Sequence, residues 1–147
     1  MVSLLIVDDH PVYRDALQQY LSRRFHTHRV EVCGASSINE GVKLTQTPQT
    51  SWVILLDLSV PGSTDHLSGI FQFKALKNVC CIAAISGLDE NVWKHQCLSA
   101  GCDIFISKNN DADDIYQALC AMMKPYLPEA VESRLTHRQL EILKFIA

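Results

Sequence analysis

A doubly wound α/β fold, with one parallel sheet covered by helices on both faces, is predicted by three observations. First, short apolar runs alternate with amphipathic stretches five times between residues 1 and 123. Second, the runs Leu4-Leu-Ile-Val7, Val53-Ile-Leu-Leu56, Ile82-Ala-Ala-Ile85 and Ile104-Phe-Ile106 are continuously apolar, as strands buried on both faces are. Third, each run ends abruptly in polar residues: Asp8-Asp9, Asp57, Ser86, and Ser107-Lys108. Right-handed crossovers between such strands put helices on both sides of the sheet.

The elements follow in order. Strand one covers about 3–8. Pro11 sits at a favoured first helical position, and Val12, Ala16, Leu17, Tyr20 and Leu21 recur at helical spacing. Strand two is expected at about 29–33. Ser37-Ile-Asn-Glu40 has the form of a capping box for a helix carrying Ile38, Val42 and Leu44. Strand three covers about 52–57. Pro61-Gly62 marks a turn, followed by a helix through Ile70, Phe73 and Leu76. Strand four covers about 80–85. Asp89 caps a helix expected to face inward with Val92, Trp93 and Leu98, and Gly101 ends it. Strand five covers about 103–106, and a fifth helix about 112–123. The acidic group Asp111, Asp113 and Asp114 suits that helix's N-terminus.

Composition narrows the function. The chain of 147 residues is 48% hydrophobic, enough for a core, and its formal charge is -3, so no global basic field draws it to nucleic acid or anionic lipid. No basic leader precedes the first strand, and no apolar stretch approaches the roughly 18 residues of a membrane span. A cytoplasmic protein is expected. The six cysteines, Cys33, Cys80, Cys81, Cys97, Cys102 and Cys120, show no Cys-x-x-Cys spacing. Buried free thiols are expected, not a disulfide framework or a zinc site.

In an open α/β sheet, ligands bind at the carboxyl ends of the strands. That edge gathers Asp8, Asp9, Asp57, Ser86 and Lys108. Carboxylates at about 5 Å, with an effective dielectric near 20, repel by roughly 3 kcal/mol per pair. A hard divalent cation removes this repulsion, and Mg²⁺ is typically held by one or two carboxylates with water and phosphate oxygens. The pattern points to a Mg²⁺ site that meets a phosphoryl group. Asp57 is the candidate nucleophile, Asp8 and Asp9 the candidate metal ligands. Lys108 is placed to neutralise phosphoryl oxygens and Ser86 to hydrogen-bond one. His10 is expected to cap the first helix, His26 and His28 to lie on the surface, and Trp52 and Trp93 to anchor packing.

The segments Leu5-Ile-Val-Asp-Asp-His-Pro11, Leu55-Leu-Asp-Leu-Ser-Val-Pro-Gly62, Ile85-Ser-Gly87 and Gly101-Cys-Asp-Ile-Phe-Ile-Ser-Lys108 resemble the receiver domain of a bacterial two-component response regulator of the NarL/LuxR type. The resemblance implies a flavodoxin-like (βα)5 fold of strand order 2-1-3-4-5. It implies that Asp57 is the phospho-acceptor, that Asp8, Asp9, Asp57 and the Ser59 carbonyl hold Mg²⁺, and that Ser86, Lys108 and Phe105 stabilise the phosphoryl group and switch. It also implies a sensor histidine kinase as donor. The usual Met-x-Gly after the turn is replaced by Ser63-Thr-Asp-His66, and Phe105 lacks a hydroxyl, so switching there works by packing.

Residues 1–123 are thus expected to form the receiver and 124–134 a linker. Leu135-Thr-His-Arg-Gln-Leu-Glu-Ile-Leu-Lys-Phe-Ile-Ala147 resembles only the opening helix of a LuxR-type helix-turn-helix. DNA binding is expected of a longer chain, not of this one, with a homodimer as the natural form on DNA. A phosphorylation-independent interaction module is the alternative. A dehalogenase-type phosphatase places a second Asp two residues after its nucleophile, where this chain has Ser59. A nucleotide-binding module needs a phosphate loop after strand one, where this chain has Asp8-Asp9-His10-Pro11.

Overall fold

A computed structural model describes residues 1–60 and 66–127. Five strands, β1 (Val2–Val7), β2 (Glu31–Ala35), β3 (Ser51–Asp57), β4 (Val79–Ser86) and β5 (Ile104–Ser107), form one parallel sheet in the order β2-β1-β3-β4-β5. Five helices connect or follow them: α1 (Pro11–Arg24), α2 (Ile38–Leu44), α3 (Ser68–Lys74), α4 (Glu90–Ala100) and α5 (Ala112–Met123). This is the flavodoxin-like (βα)5 order read from the sequence.

Strand alternation divides the core in two. Leu4, Ile6, Val53 and Leu55 pack with Leu17, Leu21, Ile115, Leu119 and Met123 of α1 and α5. Leu5, Val7, Ile54 and Leu56 pack with Ile38, Ile70, Phe73 and Cys97 of α2, α3 and α4. The two faces are fastened differently. Arg24 bridges α1 to α5: its Nη1 donates to Asp113 at 2.7 Å and to the Tyr20 hydroxyl at 2.6 Å, and its guanidinium stacks 4.1 Å over the Tyr116 ring. Helix α4 buries a single residue completely, Cys97.

Several expectations shift. Strand β2 starts two residues late because His26–His28 form a 3₁₀ turn and Arg29 adopts a left-handed φ of 58° before the chain extends. On α1, Leu17 and Leu21 face inward as read, but Val12 is 85% exposed and Ala16 is also exposed. On α4, Val92 and Leu98 are exposed and Trp93 is half-buried, so the inward position is Cys97. The capping box at α2 is half as read: Ser37 Oγ accepts from Glu40 N–H, but the Glu40 carboxylate takes its hydrogen bonds from Ser36. The caps Asp89 and Asp111 accept from Asn91 and Asp114 N–H. Gly101 closes α4 with φ 117°, and the bonds Gly101 N–H to Leu98 O and Cys102 N–H to Cys97 O complete a Schellman-type end. Trp52 is buried as an anchor. Lys124–Tyr126, the start of the expected linker, form a 3₁₀ turn. Residues 128–134 of that linker, the expected tail helix and the Pro61-Gly62 turn lie outside the described residues.

Candidate functional site

The site forms where the winding reverses, between β1 and β3. Val7 pairs with Leu56, so the next residues, Asp8 and Asp57, emerge side by side. Ile85 pairs with Asp57, which brings Ser86 to the same edge, and Lys108 N–H donates to the Ser86 carbonyl at 2.9 Å. Asp8, Asp57 and Ser86 are buried, at 0%, 2% and 0% exposure. A charge so enclosed must be paired.

Lys108 supplies the pairing. Its Nζ lies 2.9 Å from Asp8 Oδ2 and donates to Asp57 Oδ2 at 3.2 Å. It also stands 4.6 Å over the centre of the Tyr13 ring. The other Asp57 oxygen accepts from Ser59 N–H at 3.1 Å. Asp9 completes the acidic rim and is partly exposed. Phe105 is buried among the α2–α4 side of the core, and the Ser86 Oγ accepts from Leu88 N–H at 2.8 Å.

His10 departs from its expected role. It occupies the N-cap of α1, but its side chain makes no capping bond. Asp8 Oδ1 accepts from His10 N–H at 2.9 Å, and the ring Nδ1 turns back to the same oxygen at 2.6 Å. A carboxylate only accepts, so Nδ1 carries the proton, and Lys108 Nζ at 3.4 Å from that nitrogen does not donate to it. The ring also lies 3.4 Å from Asp9 Oδ1 and 3.6 Å from Asp57 Oδ2. Sequence reading gave His10 a capping role without its contact to Asp8, and it missed Tyr13. Their sole sequence signal was adjacency to Asp8-Asp9. His66, likewise unread, sets Nδ1 3.2 Å from the Leu58 carbonyl and its ring edge-on to Trp93, 4.8 Å between centres.

Electrostatics separate the two buried acids. Burial pushes Asp57 up, and the negative Asp8 adds to this; the Ser59 N–H and Lys108 compensate only in part. Burial also opposes ionisation of Asp8, but the Lys108 ammonium and the His10 donors outweigh it and hold that carboxyl below its usual range. The same two carboxylates keep the Lys108 ammonium charged against its own burial.

The residues fit a hard cation. Ligand atoms of Asp8, Asp9, His10 and Asp57 lie within 4.8 Å of one another. Asp8 Oδ2 is buried, and the Lys108 ammonium stands 2.9 Å from it as its ion-pair partner. A buried carboxylate oxygen that faces positive charge in this way is suited to a metal ion.

Comparison with known proteins agrees with this geometry. The family described as "Response regulator receiver domain" matches residues 4–120. The Fimbriae Z protein of Salmonella typhimurium is 26% identical over 84% of this chain, which spans 57% of that relative's length. The nitrate/nitrite response regulator protein NarL of Escherichia coli is 27% identical over 99% of this chain and 74% of its own. Among solved structures, a LuxR family DNA-binding response regulator from Silicibacter pomeroyi superposes with TM-score 0.69 and 27% identity, covering 88% of this chain and 98% of its own. A CheY-like receiver from Methanospirillum hungatei JF-1 shares the fold, with TM-score 0.70 at 21% identity over 85% and 95% of the two chains.

Proposed function

The chain belongs to the response regulator receiver domain family, and from that premise we propose that Asp57 accepts a phosphoryl group from a phosphohistidine of a sensor histidine kinase. Receiver domains are signalling switches, not turnover enzymes. The observation that carries the reading is Asp57 itself: a carboxylate buried at the sheet's carboxyl edge, with one oxygen on Ser59 N–H and the other on Lys108.

Asp57 Oδ2 attacks phosphorus, the donor's P–N bond breaks as the P–O bond forms, and an acyl phosphate results. Lys108, already 3.2 Å from that oxygen, moves its charge onto the incoming phosphoryl oxygens. Asp8, Asp9, Asp57 and the Ser59 carbonyl would hold Mg²⁺. When bound, the ion supplies positive charge against these carboxylates and the phosphoryl group. The Ser86 hydroxyl turns from Leu88 N–H toward a phosphoryl oxygen, and Phe105 repacks into the space it leaves.

The output of this switch is regulation of transcription, exerted in the cytoplasm by a C-terminal DNA-binding domain and favoured by dimerisation. The DNA-binding description of the Silicibacter pomeroyi neighbour supports this reading. Among the described residues, no helix is long and apolar enough to cross a membrane.

The test is intact-mass spectrometry after incubation with acetyl phosphate. The expected result is a gain of one phosphoryl group that requires Mg²⁺ and vanishes in Asp57→Asn. Equal labelling of that variant overturns the assignment. A folded wild type that never labels points to a phosphorylation-independent interaction module.

A further inference from the structure

Side chains of a strand alternate between the two faces of a sheet. Along β4, Val79, Ile82 and Ala84 pack on the α2–α4 side, and Ala83 and Ile85 on the α1–α5 side. Cys80 and Cys81 break this order: both pack on the α1–α5 side. The cause is an irregularity in pairing with β3. Trp52 pairs with Val79 and Val53 with Cys81, so one step on β3 takes two on β4. The two thiols consequently stand together, with Sγ atoms 4.0 Å apart, at the sheet edge opposite Ser86. Cys81 is buried at 5% exposure, while Cys80 is half-buried and donates its thiol to the Trp52 carbonyl at 3.4 Å.

We propose that Cys80 and Cys81 form a vicinal dithiol that chelates one soft, thiophilic metal ion. With metal–sulfur bonds of about 2.3 Å, two thiolates lie roughly 3.8 Å apart in a tetrahedral shell and about 4.6 Å apart across a linear ion. The observed separation falls between these values, so the pair closes on an ion with little rearrangement. Soft thiolate ligands select soft ions over Mg²⁺, which separates this site from the acidic cluster.

The electrostatics agree with a site that needs a cation. The Cys81 thiol pulls Cys80 below its ordinary range, while its bond to Cys80 and its burial push Cys81 up. Loss of the first proton is eased and loss of the second opposed, because two adjacent thiolates repel. A dication replaces both: two thiols and one ion give a neutral bis-thiolate and release two protons, with no electron transferred. Asp103 stands near enough to act on both sulfurs, and its Oδ2 is fixed by Ile82 N–H at 2.8 Å.

The reduced full chain, with Mg²⁺ in excess, is titrated with Cd²⁺ while the ultraviolet thiolate-to-cadmium charge-transfer band is followed. The expected result is one ion per chain with two protons released. Cys80→Ser should lower affinity by about 100-fold or more, and Cys33→Ser should leave it unchanged. Because Cys81 lies in the core, a second measurement uses the wild type alone: saturating Cd²⁺ should block alkylation of Cys80, read by peptide mapping. Unchanged affinity in Cys80→Ser, or equal alkylation with and without Cd²⁺, overturns the proposal.

Discussion

Asp8 and His10 are joined twice through one oxygen: Asp8 Oδ1 accepts from the His10 backbone at 2.9 Å and lies 2.6 Å from its ring nitrogen. That oxygen is therefore engaged by His10, while Oδ2 faces the Lys108 ammonium at 2.9 Å.

Metal binding should reflect this division. Asp9→Ala should weaken Mg²⁺ binding by about tenfold or more, since it deletes an acidic oxygen of the cluster. His10→Ala should leave affinity unchanged or raise it, because it removes the ring contact to Asp8 Oδ1 and leaves only the backbone N–H bond there. Calorimetric titration distinguishes the two. A larger loss in His10→Ala would place the imidazole among the ligands.

Asp57 should cost stability when ionised. Its folded pKa is raised, chiefly by burial, so the folded state holds the proton more tightly than the unfolded one. The penalty is absent below the unfolded value and grows as pH rises through the folded one. Without Mg²⁺, Asp57→Asn should therefore be more stable at neutral pH, by on the order of 1 kcal/mol. The advantage should shrink in acid. Thermal melts in chelator at neutral and acidic pH check both the sign and the trend.

Ser86→Ala should still accept the phosphoryl group but transmit it poorly. The hydroxyl accepts from Leu88 N–H, one residue before Asp89 caps α4, so its reorientation loosens the base of that helix. Amide shifts at Phe105 should move less on labelling than in the wild type. Shifts of equal size would break the proposed link.

Gly101→Ala should destabilise by roughly 1–2 kcal/mol, the cost of a left-handed backbone for a residue with a Cβ. The nearest atoms belong to the flexible Lys74 chain at 3.4 Å, so the cost is backbone strain and not a clash. Urea denaturation with an unchanged m-value measures it.

The strands and the acidic edge were legible because continuous apolar runs end at Asp8, Asp57, Ser86 and Lys108, and strand ends define a ligand edge without tertiary detail. Helix phase was less legible. Val12 is apolar and correctly spaced, but the first turn of α1 borders an open cleft with Asp9, His10 and Lys108 instead of covering the sheet. On α4 the apolar residues outnumber the inward positions, and the small Cys97 takes the buried one. The turn of His10 depends on the Asp8 carboxylate, and the side-by-side thiols of Cys80 and Cys81 depend on strand pairing. Neither relation has a spacing rule.

The Arg24 bridge gives the molecule a direction of yielding. The Arg24 guanidinium, held by Asp113, Tyr20 and Tyr116, ties α1 to α5, while α4 is held by the buried Cys97, the half-buried Trp93 and its two capped ends. A disturbance arising at the sheet's carboxyl edge meets resistance on one side and compliance on the other. The two faces are thus unequally fastened, and on the proposed reading α4 is the element expected to shift on phosphorylation.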